Sequence, residues 1–499
     1  MHRKTSADGS LDADTESSEN WSIENEKNRI VDWDGPKDSQ NPKNWTTGKK
    51  FAVTVLISLF DFMSPLASSM LAPALPAIGD EFNEHNEIIL VMVQSIFVLG
   101  FAIGPLFWGP LSEVYGRVRL IQCSNILFLI FNLCGGFSIS MAMIIAFRFM
   151  AGVCAIGPVT VGAGVLGDLY PSESRGKSIA IYSLAPLLGP ALGPILGAFL
   201  TKYSTWRVIF YTVTLAGAVV QAVGAFLLKE TFGPKILREK KKELIKVTGD
   251  ASWQLADGEQ EVSISSALKT SLSRPFKLLF TQPIVMVLAL WYAYLDGMAF
   301  LCFATFQQLW QNQYHESMTM SSLNYLSVGA GFIFGSQVPP MLNDKIYASL
   351  KRKHSTCGKP EYRIPLMLPG MLLTILGLLL YGWSAQYSLH FLLPNLGAFI
   401  FCTGLMTGFQ CIQAYALDYY TSNAASAIAA LTVLKCLAGT GFPLFAPRMY
   451  QVLDYGWGNT VLAGAGTVIG LPAIWLLWRY GEVLRKRSTF AVKEEEGHF

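Results

Sequence analysis

The stretch PLLGPALGPILG, residues 186 to 197, decides the fold of this chain. Two residue types recur in it at every fourth position: Gly189, Gly193 and Gly197, and Pro186, Pro190 and Pro194. Glycines four apart share one helix face and let a second helix come into backbone contact inside a membrane. Each proline removes an intrahelical hydrogen bond, so we expect a bent or locally unwound helix. The stretch predicts a tightly packed hinge within a bilayer, with a merely kinked packing helix as the alternative.

The composition around this stretch is that of a protein embedded in a membrane. Of the 499 residues, 52% are hydrophobic and only 15% are charged, and the mean hydropathy is +0.37. These values argue against a string of soluble domains. The formal charge of +3 is nearly neutral and says little about partners. We expect a monomer in the lipid bilayer, with no nucleic-acid partner.

Motifs typical of enzymes and metal sites are absent from the sequence. The eight cysteines form no CxxC pair and have no histidine at metal-ligand spacing, so we expect them to be small core residues. The only GKS, residues 176 to 178, has Pro171 where a P-loop needs glycine. HExxH and GxSxG do not occur. We therefore expect no catalysis, no metal, no cofactor and no ATP-driven pumping.

Twelve apolar stretches are long enough to cross a membrane as helices, which needs about 20 residues each. The first six cover roughly 51–75, 88–110, 119–138, 141–167, 177–200 and 207–228. The second six cover roughly 283–309, 321–342, 364–384, 390–416, 426–447 and 459–479. The sequence thus predicts an all-α polytopic membrane protein.

A polar stretch separates these spans into two six-helix bundles. Residues 230–282, with the run REKKKEL at 238–244, form a linker between bundles at 49–229 and 283–480. The tail at 1–48 is rich in Ser, Asp, Glu and Asn and is expected to be disordered, and a second tail covers 481–499. No apolar h-region precedes the first span, so we expect no cleavable signal peptide.

Lysine and arginine near the span ends predict the orientation. They collect in the linker and in loops on its side, such as 49–50, 117–119, 175–177, 351–353 and 485–487, whereas the opposite loops 77–87 and 311–320 contain none. Because cytoplasmic loops carry an excess of basic residues, both termini and the linker are predicted to be cytoplasmic.

Four ionisable residues lie inside predicted spans: Asp61, Arg148, Asp296 and Lys435. Such groups cost several kcal/mol in a bilayer and are functional candidates by default. An aspartate that faces a water-filled cavity near an arginine can change protonation as the cavity opens to either side. We therefore predict Asp61 and Arg148 as the proton-coupling pair and Asp296 and Lys435 as residues of the substrate cavity.

Plainer roles remain open for each of these residues. Asp61 could be a static structural partner of Arg148, although Asp61 is expected nearer the cytoplasm. Asp296 could face a polar lumen, and Lys435 could snorkel or bond helix carbonyls.

The turn from Gly109 to Arg119 is predicted to be a gate on the cytoplasmic side. Gly109 and Gly116 permit a tight reversal, Glu113 can bond the exposed amides of a helix start, and Arg117 can pair with Glu113 or with lipid phosphate. A plain positive-inside loop is the alternative. Further along the chain, Asp168 and Arg175 flank the loop after the fourth span and are predicted to latch it.

Several motifs, in their order along the chain, resemble those of one transporter family. They are WDGP and NPKNW at 33–45, GPLSEVYGR at 109–117, RFMAG at 148–152, GPALGPILG at 189–197, KETFGP at 229–234, PEYRIP at 360–365 and GTGFPLF at 439–445. On these motifs the chain resembles a fungal member of the major facilitator superfamily, in the twelve-span drug:proton antiporter branch.

The resemblance implies a two-bundle carrier with a central cavity that works by alternating access. It implies export of organic compounds against inward proton flow, with Glu113 and Arg117 holding the cytoplasmic side closed and Arg148 taking part in proton coupling. We expect the carrier in the plasma membrane. Two residues depart from the family pattern. Val118 stands where the family usually has a second basic residue. Asp296 stands where relatives commonly have an aromatic residue, and its carboxylate favours cationic substrates.

We therefore expect a proton-coupled carrier that exports amphipathic small molecules, either drugs and toxins or a metabolite of the cell. A proton-coupled importer on the same fold is the nearest alternative. A non-transporting nutrient sensor is disfavoured because the linker is too short and polar for a signalling domain, and a membrane enzyme is a more distant alternative.

Overall fold

A computed structural model describes residues 29–35, 37–256, 264–354, 359–420 and 424–486. The first bundle has span 1 at Thr47–Ser69, span 2 at Glu87–Tyr115, span 3 at Arg117–Gly136, span 4 at Met141–Ala155 and Gly157–Leu169, span 5 at Ser172–Tyr203 and span 6 at Arg207–Leu227. The second has span 7 at Pro283–Gln313, span 8 at Tyr325–His354, span 9 at Met367–Gln386, span 10 at Leu392–Tyr419, and spans 11 and 12 within the run Ala424–Lys486. Shorter helices lie at Pro42–Asn44, Ala72–Ala74, Leu75–Phe82, Met318–Leu323 and Pro360–Arg363, and two linker helices at Gly233–Thr248 and Ile264–Thr281.

The run Ala424–Lys486 consists of two spans joined end to end. A helix of 63 residues would be about 95 Å long, about three times the thickness of a bilayer core. Asp454 interrupts it, with a φ of 53° and a ψ of 178° that no helix contains. The break falls between the predicted spans 426–447 and 459–479, so each predicted span has its own helix.

Among the described residues, ten helical stretches are long and apolar enough to cross a membrane. They hold eleven of the predicted spans, because one stretch, Ala425–Leu484, covers both span 11 and span 12. Span 8 is the remaining one. It is a continuous helix, but Ser, Gln and paired prolines in its sequence make it less apolar than the others. The predicted all-α membrane fold is confirmed.

The glycine face of span 5 packs directly on span 1. A Cβ added at Gly189 would lie 2.8 Å from the Leu66 nitrogen, and one added at Gly197 would lie 2.0 Å from the Met70 carbonyl oxygen. Between them, a Cβ at Gly193 would lie 2.0 Å from Ser69 Oγ. The predicted backbone contact is therefore present.

Of the two effects expected from the prolines of span 5, a bend or local unwinding, local unwinding does not occur. The helix is continuous from Ser172 to Tyr203 through Pro186, Pro190 and Pro194. Neighbouring spans allow this because side chains can satisfy carbonyls that a proline-containing helix exposes.

A short parallel strand pair joins the residues before span 1 to the linker. Ile30–Val31 pairs with Gln254–Leu255, and Val31 is 1% exposed. Arg29 lies 3.1 Å from Asp250. The expectation of a disordered tail through residue 48 is therefore wrong for residues 29–35 and 37–48, and residues 1–28 lie outside the described part of the chain. We call the side of the molecule that carries this strand pair the linker side.

Candidate functional site

Arg148 of span 4 is buried and bonded to backbone carbonyls. Its side chain donates to the Ala67 carbonyl at 3.1 Å and the Ser68 carbonyl at 3.5 Å on span 1, and to the Val93 carbonyl at 3.3 Å on span 2. The guanidinium lies 4.2 Å from the centre of the Phe97 ring. No described carboxylate is within ion-pair distance of it, so Arg148 ties three spans together without an acidic partner.

Asp61 of span 1 is a separate buried group. It is 1% exposed and lies about 15 Å along the helix from Phe51, where the predicted apolar span begins, so it is near the middle of a ~30 Å hydrocarbon core. Its neighbour is Tyr182 of span 5, and its Oδ1 accepts no hydrogen bond from any described residue. The structure therefore does not bring Asp61 and Arg148 together, and a static pair between them is not formed.

Asp296 of span 7 and Lys435 of span 11 form an ion pair. The distance from Lys435 Nζ to Asp296 Oδ1 is 3.5 Å, with the lysine side chain 27% exposed and the aspartate side chain 4% exposed. Asp296 Oδ2 has no hydrogen-bond partner among the described residues. Sequence reasoning selected both residues but did not predict that each would compensate the charge of the other.

A small cavity of about 60 Å³ lies between the two bundles. Its lining comes from spans 1, 2, 5, 7 and 8 and includes Pro65, Ser68, Gln94, Pro190, Pro194, Phe300, Phe303 and Tyr325. The prolines at 190 and 194 therefore face the cavity, while the glycines beside them face span 1. Sites that hold drug-sized molecules have about 300–1,000 Å³, so this cavity is too small to hold a molecule of that size.

Hydrogen bonds between the bundles lie at mid-membrane and on the side opposite the linker. Gln451 Nε2 of span 11 donates to both carboxylate oxygens of Glu87 at 3.0 Å, at the first residue of span 2. Deeper in the membrane, Thr440 Oγ1 donates to the Ser95 carbonyl at 3.4 Å. These bonds hold the side opposite the linker closed.

The reversal between spans 2 and 3 is built on Gly116 and Glu230. Gly116 has a φ of 95°, which favours glycine, and a Cβ there would lie 2.2 Å from Glu230 Oε2. Glu230 Oε1 accepts the Arg117 amide at 2.9 Å, at the first residue of span 3. It also accepts the amides of Thr231 and Phe232 at 3.1 and 3.2 Å.

Two predictions about this turn are wrong. Glu113 is exposed and lies in the last turn of span 2, so the helix-start bond expected from it is made by Glu230 instead. Gly109 lies inside the span 2 helix rather than at the reversal, and a Cβ there would meet only Thr160, at 3.9 Å. The missed residue, Glu230, had a signal in the sequence, since it is the acid of KETFGP directly after span 6.

Arg117 pairs with Asp168 rather than with Glu113. Arg117 Nε lies 3.5 Å from Asp168 Oδ2 at the end of span 4, and Arg117 Nη1 donates to Ser112 Oγ at 2.7 Å. The predicted latch therefore joins Asp168 to the start of span 3. The side chain of Arg175, its other predicted member, lies outside the described residues.

The second bundle carries a matching ion-pair cluster on the linker side. Arg363, just before span 9, donates to Asp418 Oδ2 at 2.8 Å at the end of span 10 and also to Asp344 of span 8. Beside it, Lys359 Nζ donates to Glu482 at 2.7 Å, and this hydrogen bond raises the pKa of Lys359. Sequence reasoning missed this cluster, although PEYRIP contains its arginine.

We expect Glu230→Gln to weaken the turn between spans 2 and 3. An amide cannot accept all three backbone N–H groups as well as a carboxylate does, and it loses the 2.9 Å pair with Lys235. The expected loss is about 1–3 kcal/mol, measured as a lower midpoint of thermal unfolding in lipid nanodiscs. Glu243→Gln, an exposed acid in the adjacent linker helix Gly233–Thr248, is the matched control. Equal midpoints for the two variants would contradict this role of Glu230.

The chain has two helical bundles, a small cavity between them and ion-pair clusters on one side, and this is the architecture of a multi-pass membrane carrier. The family model of the Major Facilitator Superfamily matches residues 57–443. The chain belongs to this superfamily, whose members transport small-molecule substrates.

Curated relatives and solved structures agree with this assignment. The chain is 44% identical over 462 residues to "Efflux pump vrtL" of Penicillium aethiopicum, covering 93% of this chain and 91% of that protein. It is 40% identical over 451 residues to "MFS-type transporter oryF" of Aspergillus oryzae, covering 90% and 93%. The fold matches the xylose transporter XylE from E. coli with a TM-score of 0.63 at 15% identity, over 87% of this chain and 98% of that one.

Proposed function

We propose that this chain exports amphipathic small molecules in exchange for protons by alternating access. The observation that carries the proposal is Asp61, a carboxyl group at mid-membrane without a cationic partner among the described residues. A charged carboxylate costs several kcal/mol at this depth, so Asp61 suits a group that holds a proton while buried and releases it when water enters. Relatives named efflux pumps support the outward direction.

In this proposal Arg148 biases the titration of Asp61 indirectly. Arg148 holds carbonyls of Ala67 and Ser68, which lie on the same helix as Asp61 and about two turns further along it. Movement of span 1 that hydrates Asp61 would therefore also disturb the bonds of Arg148.

The linker side is proposed to be cytoplasmic, in the plasma membrane, with both termini on that side. The pair of Arg117 with Asp168 and the cluster around Arg363 then form the cytoplasmic gate, with Glu113 on its border. These ion pairs join the ends of neighbouring spans, so they stiffen each bundle where the bundles separate during transport.

Everted plasma-membrane vesicles that contain the full chain test this proposal. An exporter coupled to protons should accumulate a fluorescent amphipathic probe when the vesicle lumen is acidic, because the lumen corresponds to the outside of the cell. Accumulation should collapse on addition of a protonophore. Uptake only under the reversed gradient would indicate an importer, and uptake unaffected by the gradient would remove proton coupling.

A further inference from the structure

We propose that the cavity between the bundles holds one aromatic ring of the substrate, and that Gln94 selects rings that carry an uncharged hydrogen-bond donor, such as a phenol hydroxyl. This inference rests on the proposed transport function and names its substrate class. It replaces the expectation that Asp296 attracts cationic substrates, because neither Asp296 nor Lys435 is among the described residues that line the cavity.

Gln94 of span 2 carries an unused hydrogen-bond acceptor at the cavity wall. The residue lines the cavity and is 7% exposed, and its Oε1 accepts no hydrogen bond from any described residue. A buried amide oxygen without a donor costs about 1–3 kcal/mol, and most such groups in proteins have a partner. A ligand in the cavity that donates to Oε1 would remove this cost.

Two other polar side chains of the wall are already bonded within the protein. The Tyr325 hydroxyl donates to the Phe303 carbonyl at 2.9 Å, and Ser69 Oγ donates to the Pro65 carbonyl at 2.9 Å. Each hydroxyl has a single hydrogen to donate, so neither is free to bind a ligand acceptor in this conformation. The wall therefore favours a ligand that donates a hydrogen bond over one that only accepts.

The rest of the wall is suited to a neutral aromatic ring. Phe101 of span 2 and Phe300 and Phe303 of span 7 line the cavity, and all three side chains are only partly buried. Such rings pack well against a ligand ring, either edge to face or offset. No described residue that lines the cavity is charged, so an ionic ligand would lose its hydration without gaining an opposite charge.

The cavity volume limits the group that it can hold. About 60 Å³ is several times the roughly 10–15 Å³ that one water molecule needs, but it is below the volume of a drug-sized site. The cavity therefore suits one ring of the substrate rather than the whole molecule. Its walls come from both bundles, so separation of the bundles would admit the remainder.

Equilibrium binding to the full chain in phosphatidylcholine nanodiscs tests this selectivity without any pH gradient, with empty nanodiscs as the reference for partition into lipid. Three probes share a naphthalene skeleton: 2-naphthol has an O–H donor, 2-methoxynaphthalene lacks it, and 2-(aminomethyl)naphthalene is a cation at neutral pH. The parent protein should bind 2-naphthol roughly three- to tenfold more tightly than the methyl ether, and should bind the cation most weakly. Gln94→Met keeps a side chain of similar length without the amide, so it should remove the preference for 2-naphthol and leave binding of the ether unchanged or stronger.

The thermal stability of Gln94→Met separates ligand recognition from a structural role. Because Gln94 Oε1 accepts no hydrogen bond from the described residues, an apolar replacement should unfold at the temperature of the parent or at a higher one. Gln308→Met is the matched control, since it makes the same change at an exposed residue of span 7 that does not line the cavity. It should leave the binding preference and the unfolding midpoint unchanged.

A preference for 2-naphthol that survives in Gln94→Met would overturn the inference, as would a parent protein that binds the ether or the cation as tightly as 2-naphthol. A lower unfolding midpoint in Gln94→Met than in Gln308→Met would also overturn it, because the amide would then have a partner within the protein. Failure of proton-driven transport with this selectivity intact would instead overturn only the proposed function.

Discussion

Asp61→Asn is expected to abolish export driven by a pH gradient while substrate binding remains measurable. Asparagine has nearly the shape of protonated aspartic acid but cannot release a proton, so the carrier would lose its coupling ion. Asp61 is 1% exposed and is proposed to be protonated while buried, so asparagine should be tolerated in this conformation. The measurement compares gradient-driven uptake into everted vesicles with probe binding in nanodiscs.

Asp80→Asn is the control for this prediction, because Asp80 is an exposed acid in the short helix that follows span 1. It should export at the parent rate. If Asp61→Asn exports as fast as the control under the same gradient, Asp61 is not the proton site.

A companion variant, Arg148→Lys, keeps the positive charge but loses the planar donors that reach three carbonyls. We expect its export rate to depend on pH differently from that of the parent. An export–pH profile identical to the parent's would remove Arg148 from the coupling mechanism.

Gly197→Ala is expected to have the largest effect on folding. The new methyl group would lie 2.0 Å from the Met70 carbonyl oxygen, which is backbone and cannot rotate away, so spans 1 and 5 must move apart. Overpacking of this kind costs about 1–3 kcal/mol or more, and we expect a lower midpoint of thermal unfolding and a lower yield of monodisperse carrier.

Gly441→Ala isolates this steric effect from helix propensity. A Cβ at Gly441 would meet no atom within 4 Å, and alanine favours a helix over glycine by roughly 0.5–1 kcal/mol. The control should therefore be neutral or slightly stabilising. An equal loss of stability in both variants would show that the contact between spans 1 and 5 does not limit folding.

The sequence predicts the fold well because a membrane imposes a simple length and polarity requirement on each helix. All twelve predicted spans are helical, including span 8, which is less apolar than the rest. Helix contacts could be predicted only where the pattern is local. The glycines of span 5 identify a packing face, but nothing in the spacing indicates that span 1 is the partner.

The candidate site was less predictable because its contacts join residues far apart in the chain. Lys435 and Asp296 were recognised as buried charges, but their pairing depends on how spans 7 and 11 meet. Glu230 lies more than 100 positions from the Arg117 amide that it accepts, so no local rule connects them. The partners of Arg148 are backbone carbonyls. Because every residue has a carbonyl, the amino-acid sequence does not indicate which ones Arg148 bonds.

The pairing of the strand Ile30–Val31, which precedes span 1, with the linker strand Gln254–Leu255 sets an order of events during synthesis. Arg29 and Ser252, which are hydrogen-bonded at 2.8 Å, are 223 positions apart. At a synthesis rate of about 5–20 residues per second, the segment before span 1 leaves the ribosome roughly 10–45 s before the linker segment that it contacts. Ile30 and Val31 therefore remain unpaired until all six spans of the first bundle have been made, and their pairing marks the completion of that bundle in the nascent chain.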